Sequence, residues 1–140
     1  MSELPAPPPV VGPETEVFWA ATAEGRLLLP RCDACSEVFW YPRGICPRCG
    51  SLAVSWITSP GRGSVYSWTL NRRGEGAYAE VGPYVLAYVE LDEGVCLMTN
   101  VVEVDPAQLE VGARVVVSFA DTGEGVSLVR FRPERTDVRR

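Results

Sequence analysis

Residues 31–51, RCDACSEVFWYPRGICPRCGS, carry four of the five cysteines of this 140-residue chain, at Cys32, Cys35, Cys46 and Cys49. The spacing is Cys-x2-Cys-x10-Cys-x2-Cys. A Cys-x-x-Cys pair curls its backbone so that two sulfurs converge on one ion, and two such pairs supply the four soft ligands of a tetrahedral zinc site. The spacer SEVFWYPRGI suits an extended strand and a return that sets the second knuckle opposite the first, as in a zinc ribbon. Gly50 after Cys49 eases the second turn; Ser36 after Cys35 is a poorer choice for the first. Four thiolates leave no open coordination position, so the site is expected to be structural. Rival uses of the thiols are two disulfides, a thioredoxin-like redox pair, iron held by four thiolates and serving as an electron carrier, or an Fe–S cluster, which usually shows other spacings.

Working outward, the flanking segments differ in texture. Residues 1–13, MSELPAPPPVVGP, are proline-rich. They cannot form a regular helix or inner strand, and read as a disordered arm. PETEVFWAATAEG then reads as a short helix starting near Pro13, with Glu14 and Glu16 in its first turn and Gly25 past its end. Its Phe18-Trp19 pair is a large apolar payload. Docking on the chain's own body and docking on another protein both account for it.

Beyond the second knuckle, runs rich in Val, Tyr, Trp and Thr recur: AVSWIT, GSVYSWTLNRR, PYVLAYVEL, VCLMTNVVEV, RVVVSFAD and GVSLVRFRP. They are bounded by Gly, Asp, Pro and Asn, and LDEG between two of them is a hairpin signal. GRGS at 61–64 reads as a turn and a bend in the first barrel strand, and DPAQLEVG as a short helical turn. Closure into a small OB-type barrel removes exposed strand edges most simply. The expected fold is mainly β: an N-terminal short helix, a rubredoxin-like zinc ribbon, then a small OB-fold β-barrel. The expected division is a disordered arm at 1–13, helix and ribbon at 14–59, barrel at 60–133 and a charged tail at 134–140.

Composition narrows the chemistry. The formal charge is −5, the wrong sign for a groove that tracks nucleic-acid phosphates. Single-stranded nucleic-acid binding by the barrel is still an alternative, because Trp40, Tyr41, Trp56, Tyr66 and Trp68 form a candidate stacking set. No run reaches the length of a membrane span, and no basic segment followed by an apolar stretch opens the chain. A cytoplasmic setting with reduced or metal-bound thiols is expected. The chain has no histidine and no lysine, which removes Schiff-base chemistry and imidazole general-base catalysis. No catalytic residue is expected. Cys96 alternates with apolar neighbours and reads as a buried core thiol. Arg43, Arg48, Arg62, Arg72 and Arg73 concentrate positive charge near the ribbon and first barrel strand. They are either a solvated face or a site for a phosphorylated ligand.

FWAATAEGRLLLPRCDAC, YPRGICPRCGS, GRGSVYSWT, GPYVLAYVELDEGVCLMTNVV and LEVGARVVVSF together resemble the zinc-ribbon plus OB-fold family once called domain of unknown function 35. The resemblance runs over about residues 14 to 132; Ser36, where the family usually has glycine, is a departure. It implies a zinc-binding accessory subunit whose catalytic partner is a thiolase-like acyl-CoA enzyme, in a hetero-oligomer that includes two copies of each subunit. The favoured partner is a steroid side-chain aldolase, which cleaves a CoA thioester by a retro-aldol reaction. A thiolase, a hydroxymethylglutaryl-CoA synthase and an acyl-CoA hydratase are alternatives. Arg43, Arg62, Arg72 and Arg73 are then the candidates for holding CoA, and Phe18, Trp19, Trp40 and Tyr41 for the partner interface.

Overall fold

A computed structural model describes residues 4–135. One short helix, α1 (Glu16–Thr22), precedes seven strands: β1 (Leu27–Cys32), β2 (Val54–Ser59), β3 (Arg62–Asn71), β4 (Tyr84–Leu91), β5 (Cys96–Val101), β6 (Arg114–Asp121) and β7 (Ser127–Pro133). Strands β1 and β2 form an antiparallel two-stranded sheet, and the other five close a barrel in the order β3-β4-β5-β7-β6. Pairing is mainly antiparallel, with one parallel contact between β5 and β7 at Val101 and Phe131. This is the OB-type topology expected from the strand spacing.

Helix α1 begins later than the sequence signals place it. Gly12 to Thr15 close a turn instead, with the Thr15 amide donating to the Gly12 carbonyl at 3.1 Å. Glu14 therefore lies outside the helix and accepts a hydrogen bond from the Gly44 amide in the second knuckle. Phe18, Ala21 and Thr22 form the buried face. The Thr22 hydroxyl donates to the Trp19 carbonyl at 2.6 Å and accepts from the Ser127 amide at 3.0 Å, which fixes the helix to β7.

Alternation places the core. Val85, Ala87, Val89 and Leu91 of β4 and Leu97, Thr99 and Val101 of β5 face inward, where Val65, Val115 and Phe131 meet them. Phe18, Leu27 and Leu29 join the same cluster, so the helix and β1 share one apolar core with the barrel. Cys96 is out of phase with Leu97: it is half-buried, not a core thiol as the apolar neighbours led us to expect. Desolvation, then the nearby Glu90 charge, raises its pKa.

The first barrel strand bends where the glycine-rich stretch required it. Gly63 lies against both neighbours, opposite Leu91 on β4 and Val115 on β6. A Cβ there would sit 2.4 Å from the Glu90 carbonyl oxygen, so only glycine lets the two backbones approach. A register shift between Val65 and Ser67 then turns the strand. At the hairpin LDEG, the Gly94 amide donates to the Leu91 carbonyl at 2.8 Å. The turn at Pro106–Gln108 is 3-10, capped by Asp105 through the Ala107 amide at 3.0 Å.

Both ends of the described chain touch the barrel. Residues 1–3 of the expected disordered arm lie outside the described residues, and Leu4 and Pro5 lie against Arg130. Of the expected tail, Glu134 pairs with Arg62 at 3.2 Å and Arg135 with Glu103 at 3.2 Å; residues 136–140 lie outside the described residues. No described helix is long and apolar enough to cross a membrane.

Gly63→Ala is expected to lower unfolding stability by about 1–3 kcal/mol, the range for overpacking a close contact. Urea denaturation measures it; an unchanged midpoint contradicts the close-approach account.

Candidate metal centre

Two short loops bring the thiols together. Cys32 ends β1 and Cys35 follows in the turn; Cys46 and Cys49 occupy a second turn before β2. The loops repeat one hydrogen-bond pattern. In the first, the Ser36 amide donates to the Cys32 carbonyl at 2.9 Å and the Cys32 amide to the Glu37 carbonyl at 2.8 Å. In the second, the Gly50 amide donates to the Cys46 carbonyl at 2.9 Å and the Cys46 amide to the Ser51 carbonyl at 2.9 Å. The residue after each second cysteine takes a positive φ, 65° at Ser36 and 76° at Gly50. Glycine adopts that conformation without a Cβ penalty; Ser36 adopts it under strain.

All four sulfurs lie within 4.8 Å of one another. Cys32 and Cys49 Sγ are 3.5 Å apart, and Cys35 and Cys46 Sγ 3.6 Å. Those separations are beyond disulfide bonding. A tetrahedron with Zn–S bonds of about 2.3 Å has edges of about 3.8 Å, so the donor set and its spacing fit zinc. Cys32 and Cys46 are buried, Cys35 is half-buried and Cys49 exposed.

The backbone prepares part of the set for deprotonation. The Cys35 amide, together with that of Ala34 and the neighbouring thiols, outweighs burial and lowers Cys32 to about 7. At Cys35 the Glu37 amide pulls downward, but desolvation and the adjacent sulfurs prevail and raise it to about 12. Four thiols without a cation thus cannot all ionise together, which is the work a divalent ion does. Arg48, between the two ligands of the second knuckle, donates to Glu37 at 2.8 Å and ties the loops together across the surface. Beneath the sulfurs lies only a small apolar cluster of Cys32, Phe39 and Cys46, with Cys35 and Val54 against it.

The other predicted residues separate. Phe18, Trp19, Trp40 and Tyr41 form a chain of edge-to-face contacts, an arrangement that aromatic rings prefer. The ring centroids are 4.9 Å apart for Phe18–Trp19, 5.2 Å for Phe18–Trp40 and 5.3 Å for Trp40–Tyr41. They line a cleft of about 350 Å³ that β5 and β7 complete. Phe18 is 1% exposed and acts as core; Tyr41, at 43%, reaches solvent. Trp56 and Trp68 pack against the core, whereas Tyr66 is exposed.

Among the arginines, Arg43 donates to the Tyr41 carbonyl at 3.3 Å. Arg62 begins β3, and Arg72 and Arg73 follow that strand's far end. At the rise of an extended chain, the length of β3 separates them by roughly 30 Å. Arg62 and Arg72–Arg73 therefore do not form one cluster. Arg72 and Arg73 are exposed and have no ion pair among the described residues. Sequence reasoning passed over Arg130, which β7 buries; its only signal was a charge inside the apolar run SLVRF.

Residues 19–55 match the family model described as ChsH2, rubredoxin-like zinc ribbon domain, and residues 56–120 the one described as ChsH2, C-terminal OB-fold domain. A probable enoyl-CoA hydratase alpha subunit of Thermomonospora curvata is 34% identical over 127 residues, 91% of this chain but 40% of that protein. The chain thus spans less than half of that relative. A DUF35 domain-containing scaffold protein of Methanothermobacter thermautotrophicus is 30% identical over 67% of this chain and 71% of its own length. Among solved structures, a chain of the Ltp2-ChsH2(DUF35) aldolase superposes with a TM-score of 0.81 at 33% identity, covering 90% of this chain and 98% of that one.

Purified protein is expected to be colourless and to hold one zinc per chain by elemental analysis; a red, iron-loaded protein counters that. Cys32→Ser is expected to abolish metal retention and, because structural zinc contributes roughly 10 kcal/mol or more, to unfold the ribbon. Ser36→Gly should instead stabilise the holoprotein by roughly 0.5–1 kcal/mol, the left-handed penalty less the entropy glycine adds to the unfolded chain. Thermal unfolding under excess zinc reads that difference.

Proposed function

Because the chain belongs to the ChsH2 family of zinc-ribbon and OB-fold (DUF35) proteins, we propose that it is a non-catalytic, zinc-stabilised accessory subunit of a thiolase-like acyl-CoA enzyme. The observation that carries this reading is the likeness to a chain of the Ltp2-ChsH2(DUF35) aldolase over nearly the full length of both. The residue inventory agrees. Four of five cysteines converge on the metal site, the fifth has a raised pKa, and no histidine or lysine is present. Nothing remains to serve as an activated thiol, an imidazole base or an imine-forming amine.

In this reading residues 14–59 dock on the catalytic partner through the cleft edged by Trp19, Trp40 and Tyr41, with Phe18 as its floor. Residues 60–133 form the barrel that braces the shared centre. The favoured partner is an aldolase that cleaves a steroid side chain carried as a CoA thioester. Partnership with a hydratase is the second reading, favoured by the likeness to the Thermomonospora protein. CoA phosphates would meet Arg72 and Arg73, the adjacent pair without an ion-pair partner among the described residues. Arg43 and Arg62 do not join them, since each already bonds elsewhere. Two copies of each subunit and a cytoplasmic setting, where thiols stay reduced, complete the proposal.

The isolated chain is expected to show no aldolase or hydratase activity, and co-expression with the catalytic partner to give a stable, active complex. Affinity capture from native extract identifies the partner. Turnover by the chain alone, or capture of oligonucleotide in its place, sinks the reading. Within the complex, Arg72→Ala with Arg73→Ala should raise KM for the acyl-CoA about tenfold or more with kcat little changed, as loss of uniform binding requires.

A further inference from the structure

Arg130 is 5% exposed on β7, yet it has no carboxylate partner among the described residues. Its guanidinium donates to the Leu4 carbonyl at 3.3 Å, to the Pro5 carbonyl, and to the Tyr78 hydroxyl at 3.2 Å. All three acceptors are neutral. A buried guanidinium is expensive unless an anion matches it. Glu103, an acid in the same wall, is turned to Arg135 at 3.2 Å.

Arg130 also borders a cavity of about 620 Å³ at the splayed end of the barrel, between the start of β4 and the end of β6. That volume falls within the range of about 300–1,000 Å³ typical of small-molecule sites. The walls are largely apolar: Leu4, Val85, Val101, Val104 and Phe119. One buried cationic fork in such a chamber matches a molecule with a single carboxylate head and an apolar tail.

The arm that covers the fork is held at its tip by the Arg130 contacts and by the Tyr78 hydroxyl, which donates to the Pro5 carbonyl at 3.3 Å. Pro5, Pro7, Pro8 and Pro9 have no amide hydrogen and cannot join a sheet edge. Between its tip at Arg130 and its root at Gly12–Thr15, Pro7, Pro8, Val10 and Val11 are exposed, Val10 at 96%. We propose that the splayed end of the barrel binds a medium-chain carboxylate, its head on Arg130 and its tail in the cavity, and that Leu4–Pro5 occupies the same guanidinium when the ligand is absent.

Isothermal titration of the full-length zinc protein with dodecanoate, below its micelle concentration, tests it. One saturable site is expected, with dodecanol at least tenfold weaker on the same protein. Arg130→Met should weaken dodecanoate binding at least tenfold, with zinc content and circular dichroism reporting that the variant is folded. Deleting residues 1–5, which removes both carbonyls from the guanidinium, should tighten it several-fold. Equal affinity for dodecanoate and dodecanol, or the absence of a saturable site in both the natural chain and the variant lacking residues 1–5, overturns the proposal.

Discussion

Convergence of four sulfurs on one point is the constraint from which the rest of the ribbon follows. Between β1 and β2, positions 33–53 form no helix and only a single bridge, Val38 to Arg31. The apolar cluster of this segment is little more than Cys32, Phe39 and Cys46. So few buried side chains cannot offset the conformational entropy of ordering such a length of chain. A metal–thiolate centre can, and its two knuckles impose the same backbone pattern on both loops. The Arg48–Glu37 pair spans them as well, but its side chains are 69% and 37% exposed. A pair so open to water contributes little.

The ribbon is nevertheless not a free module. Phe18, Leu27 and Leu29 sit in the barrel's core, and the Thr22 hydroxyl bonds the start of β7. Strand β1 thus has two jobs at its two ends: Leu27 and Leu29 anchor the barrel, while Cys32 presents a ligand. Metal binding at one end is mechanically continuous with apolar packing at the other, as the docking role proposed above would require.

Charge is arranged differently in the interior and at the surface. Arg62, Arg114 and Arg135 pair with acids across the barrel's exterior, where solvent screens them. Asp92, held by Arg114 through bonds of 2.8 and 2.9 Å, has its pKa lowered chiefly by that contact. Its contribution is present above the unfolded carboxylate pKa and is lost as pH falls through the folded one. Arg130 breaks the pattern: it is buried among neutral oxygens and has no acid paired with it among the described residues.

Two kinds of information were legible in the residues themselves. The knuckles were, because a turn that converges two sulfurs is encoded within a few consecutive positions; so were the strands, because side-chain alternation is a local property of extended backbone. Phase was less secure. Cys96 shares its apolar neighbourhood with Leu97 but points the other way, and a one-residue shift inverts every face. Where the helix starts also escaped a local reading, since Glu14 is drawn to Gly44, 30 positions away. Only closure of the barrel decided which arginines meet. It sent Arg62 to Glu134, left Arg72 and Arg73 at the opposite end of β3, and placed Arg130 beside Pro5, 125 positions distant. Such encounters depend on the order and register of five strands, and no window of neighbouring residues contains that.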